Sequence, residues 1–328
     1  MHASAKWPPL EWSEWRATAL TLQLWCQIVG KVRLALSPWL NHSWHVTLYV
    51  SPRGLTTSTI MAAERAFTLE FDFTVHRLLF HSSDGREDSL PLQAQTVAAF
   101  HDALFALLGR NGIEVEIDGR PNEVPDPIPF AQDHTHATYD PASAHRFWRA
   151  LLSIDEVLQH FRTGFVGKCS PVHFFWGSFD LAVSRFSGRA APPHPGGVPF
   201  LSDAVTREAY SHEVSSAGFW PGSDAFPHAA FYSYAYPVPD GFAETPVEPA
   251  SAYFEPSLGE FVLKYDDVAR SADPAQTLLL FLQSTFRAAA DLAQWDQQLE
   301  RQLGQFGIPP TPAQPTPAPE NGDDRRPG

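Results

Sequence analysis

The chain has 328 residues, 44% apolar and 13% aromatic, which is length for about two domains at ~150 residues each and too apolar for general disorder. Its 37 acidic residues outnumber 23 basic ones, for a net charge of -14 with no basic run, so a nucleic-acid or anionic-membrane surface is excluded. No apolar stretch approaches the ~20 residues of a membrane span. Residues 1–9 lack the apolar core of a signal peptide, and Cys26 and Cys169 make no disulfide framework, so the expected setting is the cytoplasm.

In chain order, Trp15, Thr18, Leu22 and Trp25, with Leu20, Leu24 and Ile28, predict a helix over 11–29, and Gly30 predicts its stop. A strand over 44–50 would put Val46, Leu48 and Val50 on the core face and His45, Thr47 and Tyr49 on the other. Alternation over 67–73 and 76–81 reads as a hairpin, followed by a helix over 93–108. Prolines at 121, 125, 127 and 129 mark 121–140 as a linker or an ordered strap. The second half opens with a helix over 141–166, carrying Phe147, Leu151, Ile154, Leu158, Phe161 and Phe165. A strand over 177–183 follows, with Phe179, Leu181 and Val183 toward the core and Ser178, Asp180 and Ala182 opposite. A stretch rich in Gly, Pro and aromatics, 188–249, reads as an insertion. Strands over 251–255 and 260–265 and a helix from 274 to about 299 complete the half, and 305–328 reads as a disordered Pro-rich tail.

The phrase Ile28-Val29-Gly30-Lys31 returns as Phe165-Val166-Gly167-Lys168, and the two strands that follow share the same phase. The pattern predicts an α+β fold of two related helix–strand–hairpin–helix units, 7–120 and 141–304, around antiparallel sheet and packed as one body.

The runs Gln27 to Leu36, Thr135-His136-Ala137 to Asp140, Gly167 to Asp180, and Tyr210-Ser211-His212-Glu213-Val214 with Gly218-Phe219-Trp220-Pro221-Gly222 resemble a bacterial family of uncharacterised proteins, the domain of unknown function 5996. The resemblance spans nearly everything except the tail. It implies a bacterial source and one continuous unit, and no activity, cofactor or catalytic residue.

Known signatures fail. A phosphate-binding loop would need Gly where Trp25 and Arg162 stand, and Ser or Thr where Val32 and Cys169 stand. His212-Glu213 begins like a zinc-protease helix, but Ser216 occupies the second histidine's place. No nucleophile elbow, Cys-x-x-Cys pair or dinucleotide fingerprint occurs, so the cofactor is unknown.

What remains is a constellation in the second half. Trp176, Ser178 and Asp180 share the non-core face of the most aromatic strand, with Lys168 and His173 before it and Arg185 after it. An apolar wall with a few placed polar groups suits a small polar ligand, and Tyr210, His212, Glu213 and Trp220 of the presumed insertion would roof it. The structural reading is an ion pair between Asp180 and an arginine, with Trp176 packed beneath a helix. A metal-dependent enzyme using His134, His136 and His212 is the alternative, since i, i+2 histidines share one side of a strand. A third possibility is a partner-binding surface of Trp220, Phe226, Tyr232 and Tyr234. Cys169 beside Lys168 reads better as a buried thiol than as a nucleophile. Lys31 and Lys168 have a structural reading as cations at helix carbonyl ends. Oligomeric state is not legible.

Overall fold

A computed structural model describes residues 6–300. The first half runs α1 (Trp12–Leu36), β1 (Tyr49–Val50), β2 (Gly54–Thr56), β3 (Ile60–Ala62), β4 (Arg65–Asp72), β5 (Arg77–Ser82), β6 (Glu87–Pro91) and α2 (Val97–Arg110). The second runs α3 (Pro141–Thr163), β7 (His173–Phe175), β8 (Asp180–Ala190), α4 (Asp203–Ala209), β9 (His212–Trp220), β10 (Ala230–Tyr236), β11 (Tyr253–Glu255), β12 (Glu260–Lys264), α5 (Tyr265–Ala269) and α6 (Pro274–Leu292). The fold is α+β with two six-stranded antiparallel sheets, ordered β1-β2-β4-β5-β6 with β3 on β4, and β11-β12-β10-β9-β8-β7. The sheets meet where Leu48, just before β1, exchanges backbone hydrogen bonds of 2.9 and 2.8 Å with Phe174 of β7.

Helix starts follow from local chemistry. Asp140 and Asp273 each precede a proline and accept a bond from the backbone N–H three residues on, at 2.7 and 3.1 Å. Thr96 caps α2 the same way at 3.1 Å. Along β8, Leu181, Val183 and Arg185 face the helices: the Arg185 guanidinium lies 3.4 Å from the Phe161 ring of α3 and 4.3 Å from the Phe286 ring of α6. Phe179, in the turn before β8, stacks on Phe147 of α3 and Trp15 of α1. Asp180, Ala182, Ser184 and Phe186 therefore point to the opposite face.

Several expectations need correcting. Gly30 does not end α1, which runs on to Leu36. A methyl group on Gly30 would sit 2.2 Å from the Trp176 indole, so the glycine lets that ring lie against the helix. α3 does stop near Gly164, and Gly167-Lys168 lies in the loop beyond, so the two Gly-Lys phrases are not equivalent in structure. Residues 44–47 form no strand. The carbonyls a ladder would use are held by side chains: Arg33 donates to His45 O (2.8 Å) and to Thr47 O, and Trp176 Nε1 donates to Val46 O (2.7 Å). Trp176 and Ser178 belong to the turn between β7 and β8, not to a strand. The presumed insertion, 188–249, contains β9 and β10, two inner strands of the second sheet; the true excursion is 191–209. The small Ser215-Ser216-Ala217-Gly218 run lies in the middle of β9, where each residue has a larger side chain beside it in one neighbouring strand: Arg185, Tyr234, Val183 and Tyr232 in turn. α6 ends at Leu292, short of 299, and the tail expected from 305 lies outside the described residues.

The strap is ordered. Phe130 is fully buried, and residues 118–140 are tied to α1: Asn122 exchanges two 2.8 Å bonds with Gln27, and the N–H groups of Thr138 and Asp140 reach Thr21 and Thr18. No helix among the described residues is long and apolar enough to cross a membrane.

Gly30→Ala is expected to displace the Trp176 indole and destabilise the protein by about 1–3 kcal/mol, as overpacking of a filled site does. Urea unfolding followed by tryptophan fluorescence measures it; an unchanged midpoint would mean the contact is not tight.

Candidate functional site

The outer face of the second sheet carries a cavity of about 540 Å³. Its floor is one side of β8, β9, β10 and β12, from Asp180, Ala182 and Ser184 through Ser216 and Trp220 to Tyr232, Tyr234 and Glu260. The excursion roofs it with Val198, Leu201 and Val205, Tyr210 follows at its end, and Trp39, His42 and Trp44 wall it from the turn after α1. The roof is tied down at three points. Trp39 Nε1 donates to Glu208 (2.9 Å), His42 Nδ1 donates to Ala209 O (3.1 Å), and Glu123 N–H donates to Phe200 O (3.2 Å).

Three carboxyl groups line this space. Asp180 is 7% exposed and accepts hydrogen bonds from Ser178 Oγ and Tyr232 Oη. Ala182, Gly218 and Tyr232 lie in one register row, and a methyl on Gly218 would meet Tyr232 Oη at 2.5 Å; the glycine leaves the tyrosine free to reach diagonally to Asp180. Glu123 enters from the strap in a left-handed backbone conformation, φ 55°, over Gly177, where an added methyl would collide with its carboxyl at 2.1 Å. Glu260 opens β12. Burial pushes the Glu123 and Glu260 carboxyls up to about 7, with Asp180 adding to both, and burial also raises Asp180. Burial likewise raises the hydroxyls of Tyr210, Tyr232 and Tyr234, so they stay protonated as donors.

His173 also lines the cavity. It is fully buried, neither ring nitrogen has a hydrogen-bond partner, and burial pushes its pKa down to about 3, with Arg162 and Arg33 adding. His42 accepts a 2.7 Å bond from Lys168 at Nε2, which with the Nδ1 bond to Ala209 fixes it as a neutral ring, lowered chiefly by burial.

The candidates from the sequence thus divide. His173, Trp176, Ser178, Asp180 and Trp220 line one cavity. Lys168 stands behind His42, over the Trp44 and Phe186 rings. Arg185 lies on the helix side of the sheet, and Glu213 pairs with Arg189 (2.6 Å) and Ser187 (2.8 Å) away from the cavity. His212 sits beside His42, ring centroids 6.3 Å apart, outside the lining. His134, His136 and His212 form no site: His136 Nδ1 bonds Asp133 (2.7 Å), and among the described residues no three His, Cys, Asp or Glu stand close enough to hold a metal ion. Tyr232 and Tyr234, with Trp220 and Phe226, line the cavity, not an outer aromatic surface. Cys169 is partly buried, its thiol raised by burial, which favours the unreactive form. Glu123, Glu260 and His42 were not singled out by the sequence. Only Glu260 left a trace there, a charge at the start of a strand whose middle, Phe261-Val262-Leu263, is apolar.

A family model described as a family of unknown function, DUF5996, matches residues 7–302. The chain belongs to that family. No curated protein and no solved structure matches it. In this DUF5996 chain the matched span contains both sheets, the strap and every cavity residue named above.

Raised carboxyls have a signed consequence. Glu123 and Glu260 hold their protons more tightly folded than unfolded, so their contribution is fully present below the ordinary glutamate value of 4.5 and is lost as pH rises through about 7. Glu123→Gln/Glu260→Gln should therefore be more stable than the parent at pH 8, by roughly 1–3 kcal/mol after allowing for partial exposure, and nearly equal at pH 4.5. Urea midpoints of both proteins at the two pH values test this, and the comparison cancels His173, which titrates in the opposite sense. A constant difference across the window would contradict it.

Proposed function

We propose that this chain binds a small organic molecule in the cavity on the outer face of its second sheet. The observation that carries the reading is a space of about 540 Å³, walled largely by aromatic and aliphatic side chains and holding a buried, hydrogen-bonded Asp180 with an unpartnered His173 in the same lining. Apolar walls with a few placed polar groups are what small-molecule sites need. Asp180 is preset by Ser178 and Tyr232, so its orientation does not wait for a ligand. Nothing in the arrangement assigns a bond-making step, and the reading stops at binding.

The two halves also support a duplication, with a different offset from the one the Gly-Lys phrases suggest. Helix ends Leu36 and Thr163 lie 127 positions apart (163 − 36), and the paired Leu48 and Phe174 lie 126 apart (174 − 48). Under this offset the first strands of the halves pair edge to edge and antiparallel, as a local twofold axis requires.

The test is native mass spectrometry of protein purified from cells without denaturation. The parent is expected to carry a small-molecule adduct that Asp180→Asn loses while its thermal midpoint stays within a few degrees. Ala182→Trp, which fills the cavity from its floor, should lose the adduct as well. An equal adduct in all three proteins would sink the reading. A fall of about 3–5 kcal/mol in the stability of Asp180→Asn would mark Asp180 as a structural group instead.

A further inference from the structure

Resting on the cavity as a ligand site, we propose that its occupant is an organic cation: an ammonium or guanidinium group held among Glu123, Asp180 and Glu260, with an apolar body against the aromatic walls. The first reason is charge complementarity. Three carboxyl groups line the cavity, and among the described residues no lysine or arginine does. Cations around it are engaged elsewhere: Lys168 donates to His42, Arg185 is stacked between α3 and α6, Arg189 is paired with Glu213, Arg33 holds the carbonyls of His45 and Thr47, and Arg162 donates to Gln159. A cleft lined by one sign of charge with low-dielectric walls concentrates the opposite sign.

The second reason is free acceptor capacity. Both oxygens of Asp180 are engaged by Ser178 and Tyr232, whereas the carboxyl groups of Glu123 and Glu260 accept no hydrogen bond from any described residue. These are places for a ligand's N–H donors. The third is the π surface. Tyr232 and Tyr234 stack with centroids 6.1 Å apart, and Trp220 stacks on Phe226 at 5.7 Å, giving faces that attract a cation. A metal ion fits less well, because among the described residues no three His, Cys, Asp or Glu side chains come close enough to share one. His173 adds an independent sign of a ligand: it is fully buried in the lining with both ring nitrogens unpartnered, so the body should carry a hydrogen-bonding group near it.

Proton linkage gives the proposal a second readout. Near neutral pH the Glu123 and Glu260 carboxyls are partly protonated, and a bound cation would displace those protons. The other titratable groups facing the site stay neutral: Tyr210, Tyr232 and Tyr234 are raised, and His42 and His173 are lowered.

The experiment is isothermal titration calorimetry of the dialysed full chain with three probes sharing one ring, tryptamine, tryptophol and indole-3-propionate. Tryptamine should bind at least about tenfold more tightly than tryptophol, a difference of ~1.4 kcal/mol, and the acid should not bind. At pH 7 the heat for tryptamine should differ between phosphate and HEPES buffers, whose ionisation enthalpies differ, reporting proton release. In Glu260→Gln and in Glu123→Gln the ratio of amine to alcohol affinity should fall toward one. Tryptophol or the acid binding as well as tryptamine would overturn the cation while leaving a small-molecule site. No binding of any probe at millimolar concentration would overturn both.

Discussion

A helix buried along most of its length needs partners for the strongly polar side chains it carries, and although the indole N–H groups of Trp15 and Trp25 go without, α1 meets that need for several others. Thr18, Thr21, Gln27, Lys31 and Arg33 are all buried. Each is answered by backbone or side chain from a loop: Thr18, Thr21 and Gln27 hold the strap, Lys31 meets Asp118 at 3.2 Å, and Arg33 gathers the carbonyls of His45, Thr47 and Thr57. Gln23 reaches Gly177 O at 2.7 Å. Leaving any of these groups unpaired would cost about 1–3 kcal/mol, so the helix dictates where the loops run. Those loops carry Glu123 and set the turn that launches Asp180. The first half thereby fixes the geometry of a site whose floor belongs to the second.

The asymmetry between the sheets follows. Both turn one face to helices, but only the second has an excursion, 191–209, folded over its other face. Roofing that face removes water from three carboxyl groups and strengthens every charge interaction beneath it. The same desolvation raises their pKa values, so the site is held in a state that a bound positive charge would relieve.

The legible parts were those set by short-range rules. Asp140-Pro141 and Asp273-Pro274 start helices because cap and ring act within one turn, and the alternation Phe179, Leu181, Val183 against Asp180, Ala182 gave the right faces of β8. The same parity places Arg185 with Leu181 and Val183, on the helix side, so its candidacy for the pocket ran against the pattern. Gly30 misled because a glycine inside a helix is explained only by a ring 146 positions away (176 − 30). Residues 44–47 misled because side chains of Arg33 and Trp176 claim the carbonyls a strand needs. Glu123 was illegible since a glutamate among prolines signals nothing until the strap is laid over Gly177.

The roof is latched by Trp39 to Glu208, His42 to Ala209 and Glu123 to Phe200. None of these bonds touches the cavity floor. In the proposed site, strength of binding and speed of exchange would therefore rest largely on different groups, Glu123 alone serving both, through its carboxyl and its N–H. Affinity would come from the carboxyls and the sheet, and residence time from how often the three peripheral tethers part together. A molecule held only moderately by Asp180 and its neighbours can still leave slowly, and loosening Trp39 would hasten departure without changing what the site prefers.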